Sequence, residues 1–206
     1  MRIGILGGAF DPITCAHMDM ARVAATVFDE IWMMPCGTHA WDKEMAQGAD
    51  RLRMIELATK LEPKIKPCRY ELELGSSPYT YDIMWDLLDR MKHLPVQLGI
   101  VIGMDNANKI KEWYRYADLV NLVPFLVVKR KGVEATTNWF NEPPHQCLDI
   151  GDHPGTLLQT NALAVPVSST LVRQTIQKGE DPRHLLHLDV WDHIKAKGLY
   201  QKVPDE

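Results

Sequence analysis

Short apolar runs closed by glycine or proline alternate with stretches of helical period along most of this chain, and that alternation leaves few folds open. Ile3–Leu6 ends at Gly7-Gly8, Glu30–Met34 at Pro35 and Val96–Ile102 at Gly103, while Phe125–Val128 runs into the basic Lys129-Arg130-Lys131. Runs this short, without polar alternation, predict strands buried on both faces. Between them, His17–Phe28 repeats apolar residues at Met20, Val23, Ala24 and Val27. Asp50 predicts a cap for a helix running to about Leu61, with Leu52, Ile55 and Ala58–Thr59 on one side. Tyr79–Met91 and Trp113–Leu122 predict further helices. Ile65–Leu74 has strand character near its ends, interrupted by Pro67. The stretch 132–160 predicts a loop with one or two short strands, and Leu163–Val167 a last strand. Ser168-Ser169-Thr170 opens a helix to about Lys178, and Asp189–Lys197 makes another. Strands alternating with helices predict an α/β fold, a doubly wound and mostly parallel sheet covered on both faces. One domain over residues 1–206 is expected, with a small C-terminal helical part from about residue 168.

In open parallel sheets ligands bind beyond the C-terminal ends of the strands. Three segments follow apolar runs there: Gly7–His17, Gly103–Asp105 and Ser168–Arg173. Gly7-Gly8 lets backbone N–H groups approach an anion at a helix N-terminus; the same pair also serves an ordinary tight turn. It is neither GxGxxG nor a Walker A loop, because no further glycine or G-K-[ST] follows. His17, near the helix start, can point across the helix mouth, or be a plain polar residue there. Asp105 can accept hydrogen bonds from a ribose or cap a helix. Ser168, Ser169 and Thr170 offer hydroxyls and N–H groups to phosphate, and Arg173 offers a charged fork or a solvated surface side chain.

Charge and cysteine usage narrow the classes. A formal net charge of −4 argues against a nucleic-acid coat, though a local basic pocket stays open. No run reaches 18 apolar residues, so no membrane span is expected. The 4 cysteines form no CxxC pair, which removes zinc-ribbon and redox motifs and makes a reducing cytoplasm the expected setting. No dedicated metal cage and no Ser-His-Asp or Cys-His constellation is spelled out.

The segment Gly7-Gly8-Ala9-Phe10-Asp11-Pro12-Ile13-Thr14-Cys15-Ala16-His17 resembles the GGxFDPxHxGH signature of the adenylyltransferase superfamily. Val167-Ser168-Ser169-Thr170-Leu171-Val172-Arg173 is similar to its second signature, ISSTxIR. Gly103-Met104-Asp105-Asn106 with Trp113 is similar to a GxD…W segment, Pro78–Asp82 to SYTxDT, and Val127–Arg130 to VVxR. The ending, from Lys178-Gly179 through Gly198-Leu199-Tyr200, also matches. Taken together, in order along almost the whole chain, these segments most resemble the nicotinate/nicotinamide mononucleotide adenylyltransferases. Two positions depart: Thr14 replaces the first His of HxGH and Ala16 its Gly. The T/HxGH variant occurs elsewhere in the superfamily, including phosphopantetheine adenylyltransferase.

The resemblance implies a Rossmann-like nucleotidyltransferase that joins ATP to a pyridine mononucleotide and releases pyrophosphate. It implies Thr14, His17, Arg173 and the Ser169 region on the ATP phosphates. Gly7, Gly8, Ala9 and Phe10 line the ATP site with Gly103, Ser168 and Thr170, and Asp105 takes the ribose. Trp113 is carried over as the surface for the pyridine ring, with a core-packing Trp as the alternative, and Thr80 lies near it. Lys43 and Arg130 are candidates for the mononucleotide phosphate. Mg²⁺ is expected with ATP, held mainly by phosphate oxygens. Neither nucleic acid nor membrane is an expected partner, and homo-oligomerisation stays open. Two other readings remain: phosphopantetheine adenylyltransferase, and a nucleotide-binding sensor without turnover.

Overall fold

The structure, a computed structural model, describes residues 1–37, 45–75, 78–129, 136, 157–159 and 167–201. Lys43, Arg130 and residues 163–166 lie outside them. Among the described residues six strands form one sheet: β1 (Arg2–Gly8), β2 (Glu30–Pro35), β3 (Ile65–Pro67), β4 (Gln97–Gly103), β5 (Phe125–Lys129) and β6 (Leu157–Gln159). Their order is β3-β2-β1-β4-β5-β6 and every pairing is parallel. The chain winds outward from β1 through β3, then returns to β1's other side at β4. The crevice at the C-terminal ends of β1 and β4 is therefore the topological switch point, where such sheets bind ligands.

Helices cover both faces. They are α1 (Cys15–Ala24), α2 (Gly48–Thr59), α3 (Tyr70–Glu73), α4 (Thr80–Met91), α5 (Met104–Ala107), α6 (Tyr116–Leu122), α7 (Ser169–Gln177) and α8 (Leu188–Lys197), with a 3₁₀ turn at Ile110–Glu112. Because strand side chains alternate, β1, β2, β4 and β5 each feed two cores. Leu6, Ile31, Met33, Val101, Leu126 and Val128 pack with α1, α2, α7 and α8. Ile3, Ile5, Met34, Ile100, Ile102 and Val127 pack with α4, α5 and α6.

Close packing explains two glycines inside strands. Gly4 and Gly99 are paired across β1 and β4, and the Phe28 ring lies on both. A Cβ at Gly4 would sit 2.7 Å from Phe28 Cδ2; one at Gly99 would sit 2.9 Å from Phe28 Cζ and 3.2 Å from the Pro124 carbonyl. Phe28 is thereby 1% exposed at the centre of the sheet.

The expected strands β1, β2, β4 and β5 form, and so do the helices near Tyr79, Ser168 and Asp189. Four details differ. The first helix stops at Ala24, short of Phe28. Gln47, not Asp50, caps α2, so Asp50 falls in its first turn, where a carboxylate favours the helix dipole. After Pro67 the chain does not resume as a strand but forms the single turn α3, whose Glu71 side chain accepts a bond from Gly37 N–H. The predicted helix at Trp113–Leu122 starts only at Tyr116, because Arg115 takes a left-handed conformation (φ 52°) that breaks it from the preceding 3₁₀ turn. There Arg115 is held over the Tyr81 ring, 4.0 Å from its centroid.

Candidate active site

Strand β1 delivers Gly7 and Gly8 to the switch point. An ideal Cβ on Gly7 would meet nothing within 4 Å, so no protein neighbour demands glycine there. The glycine instead leaves space in a cavity of about 300 Å³ lined by Gly7, Gly8, Ala9, Glu71, Thr80, Asn106 and Trp113, among others. That volume is at the lower end of small-ligand sites. Thr80 at the start of α4 and Trp113 after the 3₁₀ turn, expected together from the sequence, thus face one space beside the Gly7–Ala9 backbone.

Beyond Gly8 the chain turns through Phe10, which is buried with φ 48°. Thr14 then caps α1 in extended conformation. Its N–H donates to His17 Nδ1 at 3.0 Å, and its hydroxyl lies 3.0 Å from the same nitrogen. This reciprocal cap holds the ring; the Phe10 ring meets it edge-on at 5.1 Å. With Nδ1 accepting, the neutral ring carries its proton on Nε2. Thr14 itself is 1% exposed, with its hydroxyl beside His17.

Helix α7 arrives on the same turn. Ser168 caps it, its Oγ accepting from Leu171 N–H at 3.1 Å. Ser169 Oγ donates to the Pro12 carbonyl at 2.8 Å, and Arg173 donates to the Asp11 carbonyl at 2.6 Å and to Thr170 Oγ1 at 3.3 Å. Residues 7–17 and 168–173, more than 150 positions apart, are therefore stitched together. The Ser169 hydroxyl spends its proton on Pro12, whereas the Ser168 and Thr170 hydroxyls only accept in these bonds and keep an O–H to donate. With them α7 presents its first N–H groups, which lack intrahelical acceptors, and the remaining donors of Arg173. Asp105, exposed in the first turn of α5 after Gly103, stands at the neighbouring strand end.

Five groups to which the sequence reading gave no role frame this site. Arg51 is 1% exposed and spends its guanidinium on backbone oxygens: Ala46, Ala9, Cys36 and Gly37, at 2.7 to 3.2 Å. Its signal was its spacing with Met54, Ile55 and Ala58, the buried face of α2. Asp11 is 1% exposed. Its Oδ1 accepts from Ala46 N–H at 3.0 Å and from the Tyr200 hydroxyl at 2.7 Å. Burial, then that hydrogen bond, push the Tyr200 phenol far above its usual range, so it remains a donor. Burial likewise pushes the Glu71 carboxyl up, against the Gly37 N–H and Arg51, which lower it. Cys36 lines the cavity, but burial raises its thiol too, the opposite of an activated nucleophile. Among the described residues no group of three or more His, Cys, Asp or Glu is placed to hold a metal.

A doubly wound sheet with two helix N-termini tied to one Gly-Gly-x-Phe-Asp-Pro turn is the framework of a nucleotide-handling transferase. Residues 5–175 match the family model described as cytidylyltransferase-like, and the chain belongs to that family. Among curated relatives, a protein of Halalkalibacterium halodurans is 34% identical, over 97% of this chain and 91% of its own length. One of Geobacillus kaustophilus is 32% identical, over 97% of this chain and 86% of its own. Both are named "Probable nicotinate-nucleotide adenylyltransferase". Among solved structures, Plasmodium falciparum nicotinic acid mononucleotide adenylyltransferase complexed with NaAD shares the fold, with a TM-score of 0.76 at 24% identity and 97% of each chain covered.

Proposed function

We propose that this protein transfers AMP from ATP to nicotinate mononucleotide, forming the dinucleotide NaAD and releasing pyrophosphate. The observation that carries the reading is the convergence of the His17 and Arg173 segments beside a cavity lined by Thr80 and Trp113. The names of the full-length relatives supply the acceptor.

The chemistry asks little of the protein beyond placement. An ionised 5′-phosphate oxygen of the mononucleotide attacks the α-phosphorus of ATP in line. A new P–O bond forms, the bond to the bridging oxygen breaks, and pyrophosphate leaves with that electron pair. No general base is needed, because the nucleophilic oxygen carries no proton at neutral pH. Holding both reactants in line supplies about 7–11 kcal/mol in favourable cases. His17, its Nδ1 engaged by Thr14, offers Nε2–H to the phosphates, and a well-aimed donor of this kind contributes about 3 kcal/mol. Arg173 and the first N–H groups of α7 neutralise charge on the leaving pyrophosphate. Thr14 orients His17 and joins it at the ATP phosphates. Gly7–Phe10 and Gly103 shape the ATP site, and Asp105 takes the ribose. Trp113 and Thr80 hold the pyridine ring, with Lys43 and Arg130 assigned to the mononucleotide phosphate. ATP enters as its Mg²⁺ complex, the ion ligated by phosphate oxygens.

The test is pyrophosphate release from ATP with three acceptors: nicotinate mononucleotide, nicotinamide mononucleotide and phosphopantetheine. The reading expects the nicotinate form to be turned over best. Preference for phosphopantetheine, or ATP binding without release, contradicts it.

A further inference from the structure

Tyr200 follows α8 at the far end of the chain, yet its hydroxyl reaches Asp11, 189 positions earlier, at 2.7 Å. It does so from a left-handed backbone, φ 64°, a conformation uncommon outside glycine and enriched where a side chain is held for a purpose. The C-terminal helix is anchored for this reach. His193 Nε2 lies 3.1 Å from Asp50 Oδ1 on α2, and Lys197 Nζ 3.8 Å from the same oxygen.

The target of that bond is unusual. Asp11 is 1% exposed, and among the described residues its Oδ2 has no hydrogen-bond partner. Arg173 Nη1 lies 3.6 Å from that oxygen and already donates to the Asp11 carbonyl. A buried carboxylate beside a guanidinium draws it in, and every donor on the carboxylate's other oxygen weakens that pull. Tyr200 and Ala46 N–H supply two such donors on Oδ1.

We propose that Tyr200 is a positioning residue for the phosphate clamp: its hydroxyl satisfies Asp11, so Arg173 is held at the Phe-Asp-Pro turn but keeps donors free to grip the triphosphate. This rests on the functional reading above, in which Arg173 meets ATP. Removing the hydroxyl leaves Asp11 short of a donor and pairs it more tightly with Arg173, which withdraws the guanidinium from the phosphates. The ring remains to fill its site against the core.

The experiment is a double-mutant cycle of Tyr200→Phe and Arg173→Lys, read as the dissociation constants of MgATP and of nicotinate mononucleotide by calorimetry, with melting curves alongside. Tyr200→Phe is expected to weaken MgATP about tenfold, in line with loss of a hydrogen bond to a charged group. Nicotinate mononucleotide binding should be unchanged. In the Arg173→Lys background, which lacks the fork, the same change should cost less than about twofold. Unchanged MgATP affinity in Tyr200→Phe overturns the proposal. So does an equal loss for both ligands, or an equal loss in both backgrounds, since either marks a general loosening of the fold. Wild-type protein that binds no ATP overturns the functional reading, and this inference with it. Wild-type protein that binds ATP normally while Tyr200→Phe does the same overturns this inference alone.

Discussion

Three contacts hold His17: the Thr14 amide and hydroxyl, both at Nδ1, and the Phe10 ring edge-on. Such bracing fixes the ring orientation before any substrate arrives, which is how a single donor comes to matter in a transition state. His17→Ala is expected to lower kcat by at least about tenfold, while the melting temperature falls by no more than loss of a helix cap explains. Steady-state pyrophosphate release with a parallel melting curve checks this, and a folded variant with unchanged kcat removes His17 from the mechanism. At this scale the sequence spoke clearly where a motif was local. The Phe-Asp-Pro turn, His17 and the serine run lie within a few residues of one another and could be read directly. Thr14 was legible as a residue, but its bond to His17 was not, because burial decides which way a hydroxyl points. The partners of Arg51 and Tyr200 could not be read, since bonds spanning 42 and 189 positions leave no trace in local spacing, although the spacing of Arg51 with Met54, Ile55 and Ala58 marks it as buried.

The elements carry the turn into place, and two of them make testable demands. Phe28 wedges onto the paired Gly4 and Gly99. At Gly99 a methyl group meets both the ring and the Pro124 carbonyl, and backbone cannot step aside as a side-chain tip can. Gly99→Ala is therefore expected to destabilise the fold by about 1–3 kcal/mol, the usual cost of overpacking, measured by urea unfolding; a midpoint equal to wild type contradicts it. Helix α3 buries Glu71, whose carboxyl titrates above its unfolded value because burial disfavours the charged form. The folded state then holds its proton to higher pH than the unfolded state does, so this group's contribution to stability falls as pH rises through that interval. Glu71→Gln keeps an acceptor for Gly37 N–H without the charge. Melting curves from about pH 4 to about pH 8 should show the variant gaining on wild type as pH rises, and parallel curves would contradict the assignment. The sequence predicted the major strands because buried parallel strands are apolar on both faces. It missed α3 and the break at Arg115 because each is set by a tertiary contact, Gly37 in one case and the Tyr81 ring in the other.

Across the whole molecule, strand order makes the site. With β1 and β4 adjacent at the reversal of winding, the Gly7–Gly8 and Gly103 ends open side by side, and α7 returns from far along the chain to close the third side. Apolar runs predict that such a sheet exists, but their sequence does not state which strands are neighbours. That order follows from crossover handedness and from which helix covers which face. The proposed reaction requires one spatial arrangement: a single triphosphate between the mouths of α1 and α7. The most direct measurement is a crystal structure of the protein with a non-hydrolysable ATP analogue. Phosphate oxygens are expected within hydrogen-bond distance of His17 Nε2, of the Arg173 guanidinium and of the first N–H groups of α7. A triphosphate bound elsewhere, with His17 and Arg173 untouched, would contradict it.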